Sequence, residues 1–224
     1  WLLAVLPVMM STRLLPEMEA EEQEMLKSCP ILQGNSTVAE QYEALLAEKV
    51  AKLGQLLAPF SVPQPAVIPS APTAFRQRAE FRVWHDGDKL DYVMFRRDDP
   101  KTPVPVTEFP IASERIQSLM PELRSRLASN TELRRKLFQV EFLGTLSGEL
   151  LVTLAYHRPL EAAWESEARK LQDSLSAVGH ATSLIGRSRK QKIVLGNEFV
   201  TDGLPVTGRK FRYRSCLCGD TGLG

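Results

Sequence analysis

Arg78, Glu80 and Arg82 recur at every second residue, with Trp84 next in the series and Arg76 just upstream. On an extended strand these side chains share one face. Planar guanidinium groups beside an aromatic ring suit a phosphate backbone and stacked bases better than a small uncharged ligand. The same residues also fit a solvated sheet face carrying an internal Arg–Glu–Arg ladder. Phe138 follows Arg134, Arg135 and Lys136, the basic-then-aromatic order of a stacking platform; a core phenylalanine sharing an inner face with Val140 and Phe142 fits as well. His157 lies in the run Tyr156-His157-Arg158, where an imidazole can stack on a base, donate to a phosphate or simply satisfy a strand end.

No complete set of catalytic groups joins them. Cys216 and Cys218 lie near Arg212 and Arg214, cations of the kind that activate a thiol, but neither cysteine has an evident base. His85, His157 and His180 lack metal-ligand spacing, so no metal is expected. The glycines of the tail, Gly219, Gly222 and Gly224, are followed by no helix whose amides would hold a phosphate. No catalytic or cofactor-binding residue is assigned, and what remains is recognition of a partner bearing phosphates and rings.

Recognition residues need elements to hold them. Ala79, Phe81, Val83 and His85 alternate with the arginine-bearing series, Asp86-Gly87 tolerates the positive φ of a tight turn, and Leu90 to Phe95 resumes an apolar run, which predicts a β-hairpin over Phe75 to Phe95. A second hairpin is predicted from Leu137–Leu146 and Leu150–His157 around Ser147-Gly148. Thr37 with Glu40 reads as a capping box opening a helix, and its apolar stripe of Tyr42, Leu45, Leu46, Val50, Leu53, Leu56 and Leu57 ends at Ala58-Pro59. Five prolines from Pro59 to Pro72 then demand an extended connector. A second helix begins at Ser113, with Ile116, Leu119, Met120, Leu123 and Leu127 as its apolar stripe and Pro121 kinking or splitting it; a third carries Trp164, Ala168, Leu171, Leu175 and Val178. An edge strand is expected at 104–106, and short strands at 182–185, 192–195 and 209–213. This order describes an α+β fold, a mainly antiparallel sheet with helices packed on one face, the other face being free to bind.

Composition narrows the partners. The 224 residues carry a net charge of only +1 and are 43% hydrophobic, an ordinary globular balance. Any anion-binding surface must therefore come from segregated charge. The window Arg187 to Arg214 holds eight Lys and Arg against Glu198 and Asp202, whereas Glu17, Glu19, Glu21, Glu22 and Glu24 crowd the beginning. Three cysteines are too few and too badly spaced for a disulfide framework or a zinc site, which makes a cytoplasmic setting the default. The opening WLLAVLPVMM is too short to span a bilayer and no basic segment precedes it.

Several separated segments bear a family likeness: Glu40-Gln41-Tyr42-Glu43-Ala44, the run from Arg78 to Gly87, Phe109-Pro110 with Ala112-Ser113-Glu114, Lys136-Leu137-Phe138-Gln139, Tyr156-His157 and Leu184-Ile185-Gly186-Arg187. In order and spacing they resemble bacterial tRNA (uracil-5)-methyltransferases from about Val38 to Tyr213. The resemblance implies an S-adenosylmethionine-dependent enzyme that methylates C5 of the T-loop uridine of tRNA, with an RNA-binding region preceding a Rossmann-like methyltransferase domain. It assigns tRNA T-arm contacts to Arg78, Glu80, Arg82, Phe138 and His157, the last two as stacking groups. After Tyr213 the likeness stops, and the family's cofactor loop, nucleophilic cysteine and general-base glutamate have no counterparts. The expectation is therefore the N-terminal, tRNA-binding portion of such an enzyme, inactive alone and binding no S-adenosylmethionine. Its parts would be an unmatched, poorly ordered extension at 1–36, the tRNA-binding domain at 37–214 and an aberrant tail at 215–224. A freestanding, non-catalytic RNA-binding module is the alternative.

Overall fold

A computed structural model describes residues 37–217 apart from 61 and 97, with side chains from residue 41 onward. The expectations for 1–36 and for most of the tail lie outside the described residues. The backbone divides into two compact units, one of residues up to Phe75 plus Phe95–Thr102, the other of Arg76–Met94 and Pro103 onward.

In the first unit α1 spans Thr37–Leu57, so a helix does begin where the capping box predicts it, and it closes in a 3-10 turn at Ala58–Phe60. The side chains of the box itself are not among those described. The members of the apolar stripe are half-buried and none fully so, except Leu56, which is exposed. The proline-punctuated connector takes up no regular structure from Val62 to Pro72, and it is pinned back to the helix where the Ser70 amide donates to the Tyr42 hydroxyl at 2.8 Å.

The second unit is built on the sequence order of β1 (Arg78–Asp86), β2 (Lys89–Phe95), β3 (Pro103–Pro105), α2 (Glu114–Ser129), α3 (Thr131–Arg134), β4 (Leu137–Gly144), β5 (Leu150–Tyr156), α4 (Ala162–Ala177), β6 (Ser183–Ser188), β7 (Gln191–Leu195), β8 (Val200–Val206) and β9 (Arg209–Ser215). One seven-stranded sheet runs β3-β2-β1-β4-β5-β6-β7, and β8-β9 form a separate ribbon. The pairs β1–β2, β1–β4, β4–β5 and β6–β7 are antiparallel; β5–β6 is parallel, which is why a whole helix, α4, has to connect them. The fold is α+β with a mainly antiparallel sheet.

The inner face is laid down by alternation. Ala79, Phe81 and Val83 are buried while Arg78, Glu80, Arg82 and Trp84 are exposed. Phe81 sits at the centre of an aromatic cluster, 5.4 Å from Tyr92, 5.2 Å from Phe109 and 6.1 Å from Phe142 between ring centroids. The α2 stripe Ile116, Leu119, Met120, Leu123 and Leu127 is buried as expected, but Pro121 neither splits nor ends the helix. On α4 the fully buried Trp164 packs against β6, where a Cβ on Gly186 would come within 2.3 Å of the indole. The glycine is there because the ring occupies the space.

The outer face departs from expectation. Over β1 and β4 it is open, yet at β5 and β6 it carries a second small core, with Leu143, Leu151 and Ile185 covered by Val200 and Leu217. The base of the ribbon is fastened there by the β4–β5 turn. Both Asp202 carboxylate oxygens accept backbone amides, from Leu146 at 2.8 Å and Ser147 at 3.1 Å, and the Thr201 amide donates to Glu149. Part of the face expected to be free is therefore occupied by the chain itself.

Candidate nucleic-acid interface

What stays open is the strip where β1 meets β4. The antiparallel register sets Glu80 opposite Glu141 and Arg82 opposite Gln139. Cross-strand neighbours at this spacing interact. The Arg82 guanidinium donates to the Gln139 side-chain Oε1 at 2.9 Å, and Gln139 Nε2 in turn donates to the Glu141 carboxylate at 2.7 Å. Arg78 and Glu80 lie 3.7 Å apart on the same strand face, both largely solvated, so this pair orders side chains more than it stabilises the fold. Trp84 continues the series and is 45% exposed.

Phe138 joins this strip through a local irregularity. Plain alternation would put it inside with Val140 and Phe142. Instead the β4–β5 register slips between Leu137, opposite Tyr156, and Gln139, opposite Ala155. Two residues of β4 are spent against one of β5, the signature of a β-bulge, which re-aims a side chain. Leu137 takes the buried place and Phe138 is left half-buried, stacked on His157 with ring centroids 3.8 Å apart and planes 13° from parallel. The Arg82 guanidinium carbon lies 5.4 Å from the Phe138 centroid, within cation–π range. The reading of Phe138 as a core residue therefore fails, for a reason that a period-two pattern cannot register.

The bulge is held from both sides. His85 donates from Nε2 to the Leu137 carbonyl at 2.7 Å. Lys136 adopts φ +58°, left-handed backbone that a lysine occupies only when its surroundings enforce it, and its carbonyl accepts the His157 amide at 2.9 Å. Beneath this turn lies Arg158, whose side chain is only 8% exposed. It donates to the backbone carbonyls of Arg135 and Glu132 at 2.9 and 2.6 Å and to the Glu132 carboxylate at 2.6 Å. Tyr156 adds a hydroxyl bond to the Leu133 carbonyl at 2.8 Å; burial pushes its pKa above the ordinary tyrosine value, so it remains a donor. Arg134 reaches across to the β1–β2 turn, donating to the Gly87 carbonyl at 2.6 Å.

Of the five residues expected at the interface, Arg82, Phe138 and His157 form one contiguous cluster, and Arg78 and Glu80 extend it along β1. Two participants were not foreseen. Gln139 carries no role in the sequence beyond the segment Lys136-Leu137-Phe138-Gln139, though its place across from Arg82 follows from pairing the two predicted hairpins. Arg158 was read only as part of the His157 run, and nothing local marks an arginine for burial. The strip offers a ring pair, a guanidinium beside it and further polar groups, but no nucleophile with a base. Cys216, considered as a thiol, is disulfide-bonded. No group of three or more His, Cys, Asp or Glu among the described residues could hold a metal, and no described helix is long and apolar enough to cross a membrane.

Comparison with known proteins gives these features a setting. A family profile described as tRNA (Uracil-5-)-methyltransferase matches residues 41–218. Among curated relatives, a tRNA/tmRNA (uracil-C(5))-methyltransferase of Aromatoleum aromaticum is 49% identical over 174 residues, 78% of this chain and 46% of that protein. The enzymes of the same name from Dechloromonas aromatica and Chromohalobacter salexigens are 51% and 52% identical, over 77% and 78% of this chain and 46% and 47% of theirs. The chain thus spans about half the length of the curated relatives it matches.

Proposed function

The chain belongs to the tRNA (uracil-5-)-methyltransferase family, and we propose that it is the family's tRNA-recognition portion, binding the T-arm through Arg78, Glu80, Arg82, Phe138 and His157. The observation that carries this reading is the cluster in which a β-bulge turns Phe138 out to stack on His157 under the Arg82 guanidinium. A half-exposed ring pair flanked by a cation is a platform for a base released from its own stack, and enzymes that act on a base must first expose it. Each stacked base contributes on the order of 1–3 kcal/mol. Arg78 and Arg82 would meet phosphates, with Glu80 and Glu141 fixing where the guanidinium groups point.

In the full-length enzyme the reaction would be transfer of a methyl group from S-adenosylmethionine to C5 of the T-loop uridine. Among the described residues no glycine turn between a strand and a helix offers amides to that cofactor, and no thiol is paired with a base. This chain's share is binding and orienting the RNA, and alone it would not methylate. The test is to incubate the purified chain with tRNA and methyl-labelled S-adenosylmethionine while measuring tRNA binding in parallel. Salt-sensitive binding without label transfer is expected. Label in the tRNA would refute the inactivity, and lack of binding would refute the recognition role.

A further inference from the structure

The β8–β9 ribbon carries cations that the fold does not use. Arg209, Lys210 and Arg212 take part in no ion pair among the described residues. Asp202, the one carboxylate of the ribbon, is engaged by the Leu146 and Ser147 amides. All seven residues of β9 are exposed, with Phe211 and Tyr213 at 45% and 50%. Period two puts Lys210, Arg212 and Arg214 on one face and the two rings on the other. Arg214 stacks over the Phe199 ring at 4.6 Å, holding a charge above an apolar surface. A two-stranded ribbon with no further strand beside it is marginal in water, and one that concentrates unneutralised positive charge gains from a polyanion.

We infer that the ribbon is a second RNA-binding surface, whose Lys210 and Arg212 face grips the phosphodiester backbone. The inference rests on the recognition role proposed above, since the same RNA would occupy both surfaces. Their spacing follows from the sheet. Phe138 stands near the start of β4, whereas the ribbon is fastened to Leu146 and Ser147 beyond its end. Eight residues of extended chain span about 26 Å. An RNA whose stem spans that distance would meet both Phe138 and the fastened end of the ribbon, and a hairpin with a minimal stem would not.

The test uses the whole chain, unsubstituted and as Lys210→Gln/Arg212→Gln, against two RNAs: a T-arm hairpin with a minimal stem, and the same loop on a stem several base pairs longer. Both substituted side chains are exposed and unpaired, so an unchanged Tm is expected and is checked first. For the long RNA, the slope of log K against log salt should fall by about 1.4 to 1.8, or 0.7–0.9 per phosphate released, while the short hairpin is bound as before. A Phe138→Ala variant run alongside should weaken both RNAs. If Phe138→Ala weakens binding but the double variant leaves the long-RNA slope unchanged, the ribbon is not an RNA surface and only the platform survives. If the double variant instead abolishes self-association of the chain and leaves RNA binding intact, the ribbon is a protein contact and the inference is overturned. If the unsubstituted chain binds neither RNA, the recognition role falls with it.

Discussion

Replacing Arg158 by alanine should loosen the interface from beneath without touching any residue that would meet RNA. Its side chain is only 8% exposed, and its guanidinium makes bonds of 2.9, 2.6 and 2.6 Å to the Arg135 carbonyl, the Glu132 carbonyl and the Glu132 carboxylate. Breaking a buried ion pair costs about 3–5 kcal/mol. Glu132 is 24% exposed and has Arg135 at 3.5 Å as a second partner, so the lower end applies, about 3 kcal/mol. Against a domain stability of about 5–15 kcal/mol, Arg158→Ala should remain folded, with Tm lowered by about 6–12 °C at some 2–4 °C per kcal/mol. The released turn should let Lys136 leave its left-handed backbone and the bulge relax. The assay is thermal unfolding together with the proton chemical shifts of the His157 ring, which lies in the shielding cone of Phe138. The shifts should move towards free-histidine values in Arg158→Ala and recover partly in Arg158→Lys. A lowered Tm with unmoved His157 shifts would refute the claim that Arg158 positions the ring pair, and an unmoved Tm would refute the energy.

Other consequences of the packing are as direct. Gly186→Ala drives a methyl to 2.3 Å from the Trp164 indole and should cost about 3 kcal/mol or more, read as a lower urea midpoint; an unchanged midpoint would mean the indole moves freely. The buried Tyr92 hydroxyl has no hydrogen-bond partner among the described residues, so Tyr92→Phe should be neutral or raise stability by about 1 kcal/mol, and a loss of stability would reveal a partner for that hydroxyl. Burial holds the Tyr92 and Tyr156 hydroxyls protonated above the ordinary value of 10.0. Their folded pKa values are raised, so their contribution is intact below about pH 10 and lost above it, by about 1.4 kcal/mol per pH unit for each. Alkaline unfolding should accordingly be shallower in Tyr92→Phe; equal slopes would contradict the raised value.

Much of the fold is legible in residue order because alternation and punctuation agree. Phe81 and Val83 against Arg78, Glu80 and Arg82, closed by Asp86-Gly87, leave one solution for β1 and β2, and the α2 stripe and the α4 stripe as far as Leu175 came out buried as spaced, whereas Val178, placed at the C-cap of α4, is 51% exposed. Strand β8 was overlooked because Gly203 and Pro205 argue against a strand, yet a ribbon with its edge in solvent tolerates both. Pro121 interrupts one hydrogen bond of α2, and the five buried residues of that helix outweigh it. The interface was readable as a set of residue types but not as a geometry. Its key element is a bulge, and a one-residue slip in register leaves no trace in composition or period; only Leu137, an apolar residue out of phase with Val140 and Phe142, hinted at it. The cover over Leu143, Leu151 and Ile185 was equally hidden, since Val200 and Leu217 come from a segment that reads as polar.

The central claim is that the Phe138–His157 pair receives a base, and a titration of the chain with a labelled tRNA T-arm hairpin at two salt concentrations, beside Phe138→Ala, tests it most directly. Binding should weaken as salt rises, and Phe138→Ala should weaken it further by about 5- to 150-fold, the equivalent of one stacked base at 1–3 kcal/mol. Equal affinity of the two proteins, or binding indifferent to salt, would contradict the account.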